Sequence, residues 1–224
     1  GAVPNLTVLN KSPRMVLILG GEELVGAKLN RIVNTTILIS ANATVVIPVS
    51  CVEQGRWSYN TPRFHSEERI MPSRMRAMKS EQVQRSVRAH GVYQADQSAI
   101  WADIGERASR REAMSPSMAM ASIYEKDLPS LHEYLQHFSL VGYQVGAVFV
   151  INEEVVGMDA FGRPETFSKV FSKLVQSYAL DAIDWIDGNK AEELGRDDVT
   201  DFTKGIFSCV IRINGCVYLV WPKY

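Results

Sequence analysis

Glu22, Glu23, Lys28, Asn30, Arg31 and Asn34 bring four charges and two carboxamides into thirteen residues flanked by apolar segments that read as buried strands. In extended chain alternate side chains share a face, so Lys28, Asn30 and, past a short turn, Asn34 are expected to converge while Arg31 faces elsewhere. The chemistry such a group offers is anion recognition. Arginine presents a planar fork to phosphate or carboxylate, lysine a point charge, and the amides can read a ribose or a base edge. The plainer reading is a solvated hairpin end held by surface ion pairs.

A second constellation, Ser50-Cys51-Val52-Glu53-Gln54-Gly55-Arg56-Trp57, closes the apolar run Val45 to Val49. Cys51 is a nucleophile only if Arg56 or a neighbour lowers its pKa, and no histidine base lies close in sequence; a cysteine in a strand is by default a small buried apolar residue. Glu53 and Arg56 suit binding or acid-base work, and Trp57 offers a face on which a base or sugar can stack. A third group, Asp159, Arg163 and Glu165, lies where a hairpin leads into a helix at Pro164. There free backbone N–H groups favour an anion, although Pro164 removes one donor and Glu165 equally suits a first helical turn.

Metal and hydrolase signatures are thin. Among the four histidines only His132 and His137 are near one another, and an offset of five does not place them squarely on one helix face. No Cys-x-x-Cys pair, Gly-x-Ser-x-Gly elbow, phosphate loop or Gly-x-Gly-x-x-Gly occurs. Glu22, Glu23, Glu53 and Asp159 remain the carboxylates able to hold Mg²⁺.

The elements that must position these residues follow from periodicity. Asn5 to Leu9, Met15 to Leu19, Thr35 to Ile39 and Thr44 to Val49 read as strands of a β meander. Trp57 to about Ser80, with two prolines and several arginines, reads as a long basic loop suited to closing over a ligand. Helices are expected over Glu81 to Ala89, over Gln97 to Ala108 behind an Asp96 cap, and around Leu131, Tyr134, Leu135 and Phe138. Val145 to Met158 reads as a hairpin turning near Asn152, and Pro164 opens a helix whose apolar stripe runs from Phe167 to Ile186. An acidic loop, Asp187 to Lys204, precedes a closing hairpin over Ile206 to Trp221 with Asn214-Gly215 at its turn. The fold class is therefore α+β: an antiparallel or mixed, sandwich-like sheet system built from the N-terminal meander and the C-terminal hairpins, covered by a helical segment over about 80–140 and one long helix. The whole of 1–224 is expected to be a single domain.

Composition sets outer bounds. Of 224 residues 46% are hydrophobic and 22% charged, enough apolar material for a folded core. With 24 Lys and Arg against 25 Asp and Glu the net charge is −1, which excludes a general nucleic-acid binder and makes any anion site local. Three cysteines make no disulfide scaffold, no apolar run reaches the roughly 18–20 residues of a membrane span, and a cytoplasmic protein is expected. The chain begins at Gly1 without a methionine, as a trimmed or processed chain would.

The blocks already singled out also resemble a known family. Gly21-Glu22-Glu23-Leu24-Val25-Gly26-Ala27-Lys28, Asn30-Arg31, and Ile47-Pro48-Val49-Ser50-Cys51-Val52-Glu53-Gln54-Gly55-Arg56-Trp57 are similar to its first signature block. Gly146 to Gly157, Phe161, Arg163-Pro164-Glu165-Thr166 and Leu174 to Ala182 are similar to its second. The family is named for its association with ADP-ribosylglycohydrolases and with rhodanese/phosphatase-superfamily proteins. The resemblance implies a place near NAD or ADP-ribose metabolism and assigns no reaction. The expectation is a domain that binds, and on the fuller reading processes, an ADP-ribose-like or other phosphorylated nucleotide metabolite. Arg31, Lys28, Arg56 and Arg163 would hold phosphate, Asn30 and Asn34 sugar or base, and Glu22, Glu23 or Glu53 would act as general base or Mg²⁺ ligand. The alternative is a non-enzymatic interaction module, or one that self-assembles as a homo-oligomer through its basic and acidic segments.

Overall fold

The strands of the first fifty residues pair from the outside inward. In the computed structural model β1 (Asn5–Leu9) pairs with β6 (Thr44–Cys51), β2 (Val16–Ile18) with β5 (Ile37–Ile39), and β3 (Glu22–Val25) with β4 (Arg31–Val33), all antiparallel. The structure describes residues 4–55, 61, 63–152, 154–192, 207–211 and 217–220, with the backbone alone beyond residue 186. Nesting replaces the expected meander. Its local cause is Asn10, whose side-chain amide donates to Arg14 O and Ser40 O, both at 2.8 Å, while its Oδ1 accepts from Ser12 N at 3.0 Å. That one buried carboxamide ties the exit of β1 to the chain leaving β5, so outgoing and returning strands stay side by side.

The chain divides into two compact units, Gly1–Lys126 and Asp127–Tyr224. In the first, β6 is long enough to pair with β1 at one end and β4 at the other, and β7 (His65–Ile70) adds to β3, giving the order β1-β6-β4-β3-β7. The period of two then sorts the faces. Leu24, Val33, Ile47 and Val49 form a core with Leu6, Val8, Ile18, Ile37, Val45 and Phe64 packed on it, each fully buried aliphatic contributing about 1.5–3 kcal/mol. Glu23, Ile32 and Ser50 occupy the other face, with Glu23 opposite Ile32 and Ile32 opposite Ser50 in the register.

Helices α1 (Ser73–His90), α2 (Gln97–Arg110) and α3 (Met120–Lys126) belong to the same unit. The long loop expected to reach Ser80 is instead, over its described part, β7 followed by the first two turns of α1. The sequence conceals this helix start because its buried line is Met75, Lys79 and Val83, and a lysine in the middle interrupts the apolar stripe. The helix ends at Gly91, with φ of 70°, whose N–H donates to Val87 O. As the sequence indicates, Asp96 caps α2, accepting from Ser98 N and Ala99 N at 2.9 and 3.1 Å. Side chains tie the helices to the sheet: Gln97 pairs with the backbone of Cys51 through both ends of its amide, and Tyr124 Oη donates to Ile70 O.

The second unit holds α4 (Leu128–His137), the hairpin β8 (Gly146–Ile151) and β9 (Glu154–Ala160), α5 (Pro164–Glu192), β10 (Phe207–Ile211) and β11 (Val217–Val220). Its sheet has the order β11-β10-β8-β9, so the closing hairpin docks on β8. Phe149 of β8 stacks on Tyr178 of α5 with ring centroids 3.7 Å apart. Gly157 on β9 makes room for that ring, since a Cβ there would lie 2.4 Å from Tyr178 Oη. The acidic segment is not loop at its start, because α5 continues through Glu192; its remainder to Lys204 and the Asn214-Gly215 turn lie outside the described residues. The α+β class holds: antiparallel sheets accompanied by five described helices. Among the described residues no helix is long and apolar enough to cross a membrane.

Candidate functional site

Strand geometry makes the first motif a closed cluster. Asn30 and Asn34 flank β4 on the face of Ile32, and Arg31 points to the opposite face beside Leu24 and Cys51, its register partners. Asn30 donates from Nδ2 to Glu23 Oε1 at 3.2 Å, and its backbone N–H donates to Glu53 Oε2 at 2.8 Å. Arg69 Nε donates to Glu23 Oε2 at 2.8 Å, completing a pair in which Glu23 is 0% exposed. Burial raises the Glu23 pKa above the usual carboxylate value, with Arg69 pulling the other way. Glu22 is likewise buried and accepts from Leu19 N at 2.9 Å. These carboxylates are spent on the protein's own N–H groups.

Arg31 is buried, donating from Nη1 to Leu29 O at 3.1 Å, and its Nε has no partner among the described residues. Cys51 faces it across the ladder, and burial pushes the thiol pKa up despite the nearby guanidinium, the reverse of what an activated nucleophile needs. Lys28 is exposed in the β3–β4 connection, so it does not share the buried face of Asn30 and Asn34. Arg56 and Trp57 lie outside the described residues. Asp159, Arg163 and Glu165 belong to the second unit: Asp159 Oδ2 accepts from Tyr178 Oη at 2.9 Å, and Arg163 and Glu165 are exposed at the start of α5. Among the described residues no three His, Cys, Asp or Glu side chains gather as a metal cluster.

Beside this cluster opens a cleft of about 440 Å³, within the range typical of small-molecule sites. One wall is a side of α1 carrying Arg76, Lys79, Ser80, Val83, Gln84, Val87 and Arg88; the other comprises Gly20, Asn34, Thr35 and Thr36, with Tyr93 beyond the helix end. Three cations and no carboxylate line it among the described residues. Asn34 joins cleft to cluster. Its Oδ1 accepts from Ser50 Oγ at 2.8 Å, its Nδ2 donates to Tyr93 O at 2.9 Å, and its own carbonyl accepts from Lys79 Nζ at 2.8 Å. Lys79 also donates to Val33 O at 3.3 Å and is 1% exposed; burial, reinforced by Arg76, lowers its pKa to about 7.

A family profile described as the ARG and Rhodanese-Phosphatase-superfamily-associated Protein domain, ARPP-1, matches residues 1–212. The chain belongs to this family. No curated protein and no solved structure matches it. The ARPP-1 profile spans both units, so cluster, cleft and the α5 entrance all fall within the family's domain.

Asn34 is recognisable from sequence as part of a polar site, whereas Lys79, Arg76 and Arg88 stand out there only as members of a basic run, and Tyr93 not at all. The signal that marks them is spacing. Arg76, Lys79, Val83 and Val87 follow one another at offsets of three and four, and Ser80, Gln84 and Arg88 run beside them at offsets of four, once α1 is known to begin at Ser73.

Proposed function

We propose that the first unit of this ARPP-1 domain binds an anionic phosphorylated metabolite in the α1 cleft, an ADP-ribose-like nucleotide being the best fit. The observation that carries the reading is a cleft of ligand size lined by Arg76, Lys79 and Arg88 without a carboxylate among the described residues. A dianionic phosphate complements this cationic lining, and the arginines can bind it through parallel N–H donors. Thr35, Thr36, Gln84 and Asn34 offer hydroxyl and amide groups to a sugar, and the half-exposed Tyr93 ring offers a stacking face to a base. Glu22, Glu23 and Glu53 serve by positioning the strands behind the cleft. Mg²⁺, if used, would enter with the phosphates. The family's link to ADP-ribosylglycohydrolases agrees with this ligand class.

Thermal stabilisation of the purified chain by ADP-ribose, ADP and inorganic phosphate, with and without Mg²⁺, tests it. Saturable stabilisation that Arg76→Ala and Arg88→Ala each weaken by about tenfold is expected. No shift with any of the three, or shifts indifferent to both variants, would remove the cleft from consideration.

A second reading, self-association, has its own observation. Leu17 and Leu38 stand directly opposite on the β2–β5 pair and are 39% and 59% exposed, a small apolar face suited to another copy of the chain. Concentration-dependent mass by light scattering, abolished in Leu38→Glu, is its expected result; a monomer at all concentrations excludes it.

A further inference from the structure

We infer that the α1 cleft takes a ligand with two separate anionic groups, one at each end: a nucleotide that carries a second phosphate apart from its diphosphate. The inference rests on the anion-cleft reading and adds to it the spacing of the ligand's charges.

The charges of the cleft lie at its two ends. Along α1 the lining begins with Arg76 and Lys79 and closes with Arg88, and between them the helix contributes only Ser80, Val83, Gln84 and Val87, none of them charged. At about 1.5 Å per residue Arg76 and Arg88 lie about 18 Å apart, and the uncharged stretch from Lys79 to Arg88 covers about 13 Å. Lys79 is 1% exposed and donates to Val33 O and Asn34 O, so direct contact with a ligand at its end falls to Arg76. Arg76 is half-buried and Arg88 exposed.

Side-chain direction keeps the two ends apart. The Cα–Cβ bonds of a helix tilt toward its N-terminus, so both arginines lean the same way and the spacing of their heads follows that of the backbone. Arg76 shows the lean directly. A Cβ built on Gly21 would lie 3.1 and 3.2 Å from Arg76 Cδ and Cγ and 3.4 Å from Cβ of Met71, which precedes the helix. The Arg76 stem is thus laid against the Gly21 backbone at the N-terminal end of α1, away from Arg88. Two donors that share one phosphate stand within roughly 8 Å of each other, so Arg88 would have to cover about 10 Å along the helix, beyond the roughly 7 Å of an extended arginine.

The middle of the cleft suits a nucleoside. Val83 is buried and Val87 half-buried, giving an apolar floor flanked by the hydroxyl of Ser80 and the amide of Gln84. Gly91, with φ of 70°, turns the chain out of the helix, and Asn34 Nδ2 holds Tyr93 O at 2.9 Å, which brings Tyr93 back to the lining. A base can rest on the valines and the Tyr93 ring while sugar hydroxyls meet Ser80 and Gln84. An unbroken run of phosphates would set charge against this uncharged stretch.

Two titrations of the full chain test the inference. In amide NMR, inorganic phosphate should move two groups of resonances that saturate independently, one around Gly20 and Gly21 and one around Gly91 and Tyr93. That readout needs no variant; Arg76→Ala should silence the first group and Arg88→Ala the second. By calorimetry 2′-phospho-ADP-ribose should bind on the order of tenfold tighter than ADP-ribose. It should lose about tenfold in each single variant and about a hundredfold in the double one, because distant groups without a shared partner act additively. A single group of shifted amides, equal affinity for the two nucleotides, or a double variant no weaker than the single ones overturns the two-group ligand and leaves the anion cleft standing. No cleft resonance moved by phosphate and no binding of either nucleotide overturns both.

Discussion

Two polar regions adjoin in the first unit and resolve their charge in opposite ways. Around Glu23 the contacts close a circuit: Arg69 and Asn30 bind its two oxygens, and Glu53 holds the backbone N–H of Asn30. Along α1 Arg76, Lys79 and Arg88 line a cleft with hydroxyls and amides, Lys79 donating directly to two backbone carbonyls, and no carboxylate is among the described lining residues. Lys79 is as buried as Glu23, whereas Arg76 is half-buried and Arg88 exposed, and charge density alone would rank the two sets equally. What separates them is compensation. A cluster whose carboxylates bind the protein's own donors holds strands together, while a cleft with a cationic lining offers an anionic ligand its complement.

Removing one partner of the closed circuit should have the largest effect. Glu23→Ala strands the Arg69 guanidinium against a buried face and is expected to cost about 3–5 kcal/mol in urea unfolding; a loss below about 1 kcal/mol would mean the cluster is solvated and the comparison fails.

Stability against pH separates the regions next, because their shifts have opposite sense. The folded-state pKa of Lys79, about 7, lies below its ordinary 10.5, so this group's contribution is complete above 10.5 and is lost as pH falls through 7. Between those limits stability should rise with pH by at most about 1.4 kcal/mol per unit, and Lys79→Met should flatten the rise. For Glu23, whose pKa is raised, stability is complete below 4.5 and is lost as pH rises through the folded value. Chemical denaturation from pH 4 to 10 on both chains would show whether the two limbs exist.

Third in size is the effect of Lys79→Met at pH 7. Relief of a buried ammonium and loss of two hydrogen bonds offset one another, so stability should change by less than about 1 kcal/mol while phosphate binding by calorimetry weakens about tenfold. A large stability loss would reassign Lys79 to the structural side. Smallest is Ser50→Ala, which frees Asn34 Oδ1 at the junction: about 1 kcal/mol of stability and a few-fold in affinity, measured together. An affinity change without a stability change would show that Asn34 orients the cleft alone.

How far these regions are legible in the sequence depends on the period each obeys. The strand period of two correctly sorts Asn30 and Asn34 from Arg31, because alternation is a local property of extended chain. The hairpin at Asn152, the Asp96 cap and the stripe of α5 are legible for the same reason: their signals lie within one turn or one helix. Nested pairing is not, since whether β1 meets β2 or β6 is decided by partners some forty residues apart, drawn together at Asn10 and Ser40. The cleft is hidden by its own chemistry. A helix that buries Lys79 where a leucine would ordinarily sit loses its amphipathic signature at the very residue that matters, and the flanking arginines then read as a basic loop.

The nested pairing of β1 to β6 also carries a kinetic consequence. The connection between β3 and β4 is short, and once that innermost hairpin exists, the ends that must form β2–β5 are already neighbours; after those, so are the ends of β1 and β6. Each successive closure costs the entropy of a short loop rather than a long one, and the structure can assemble like a zip from its inner end. The Glu22 to Arg31 stretch would then be the folding nucleus of its unit. Substitutions there should slow refolding, whereas those at β1, the last strand to dock, should mainly hasten unfolding.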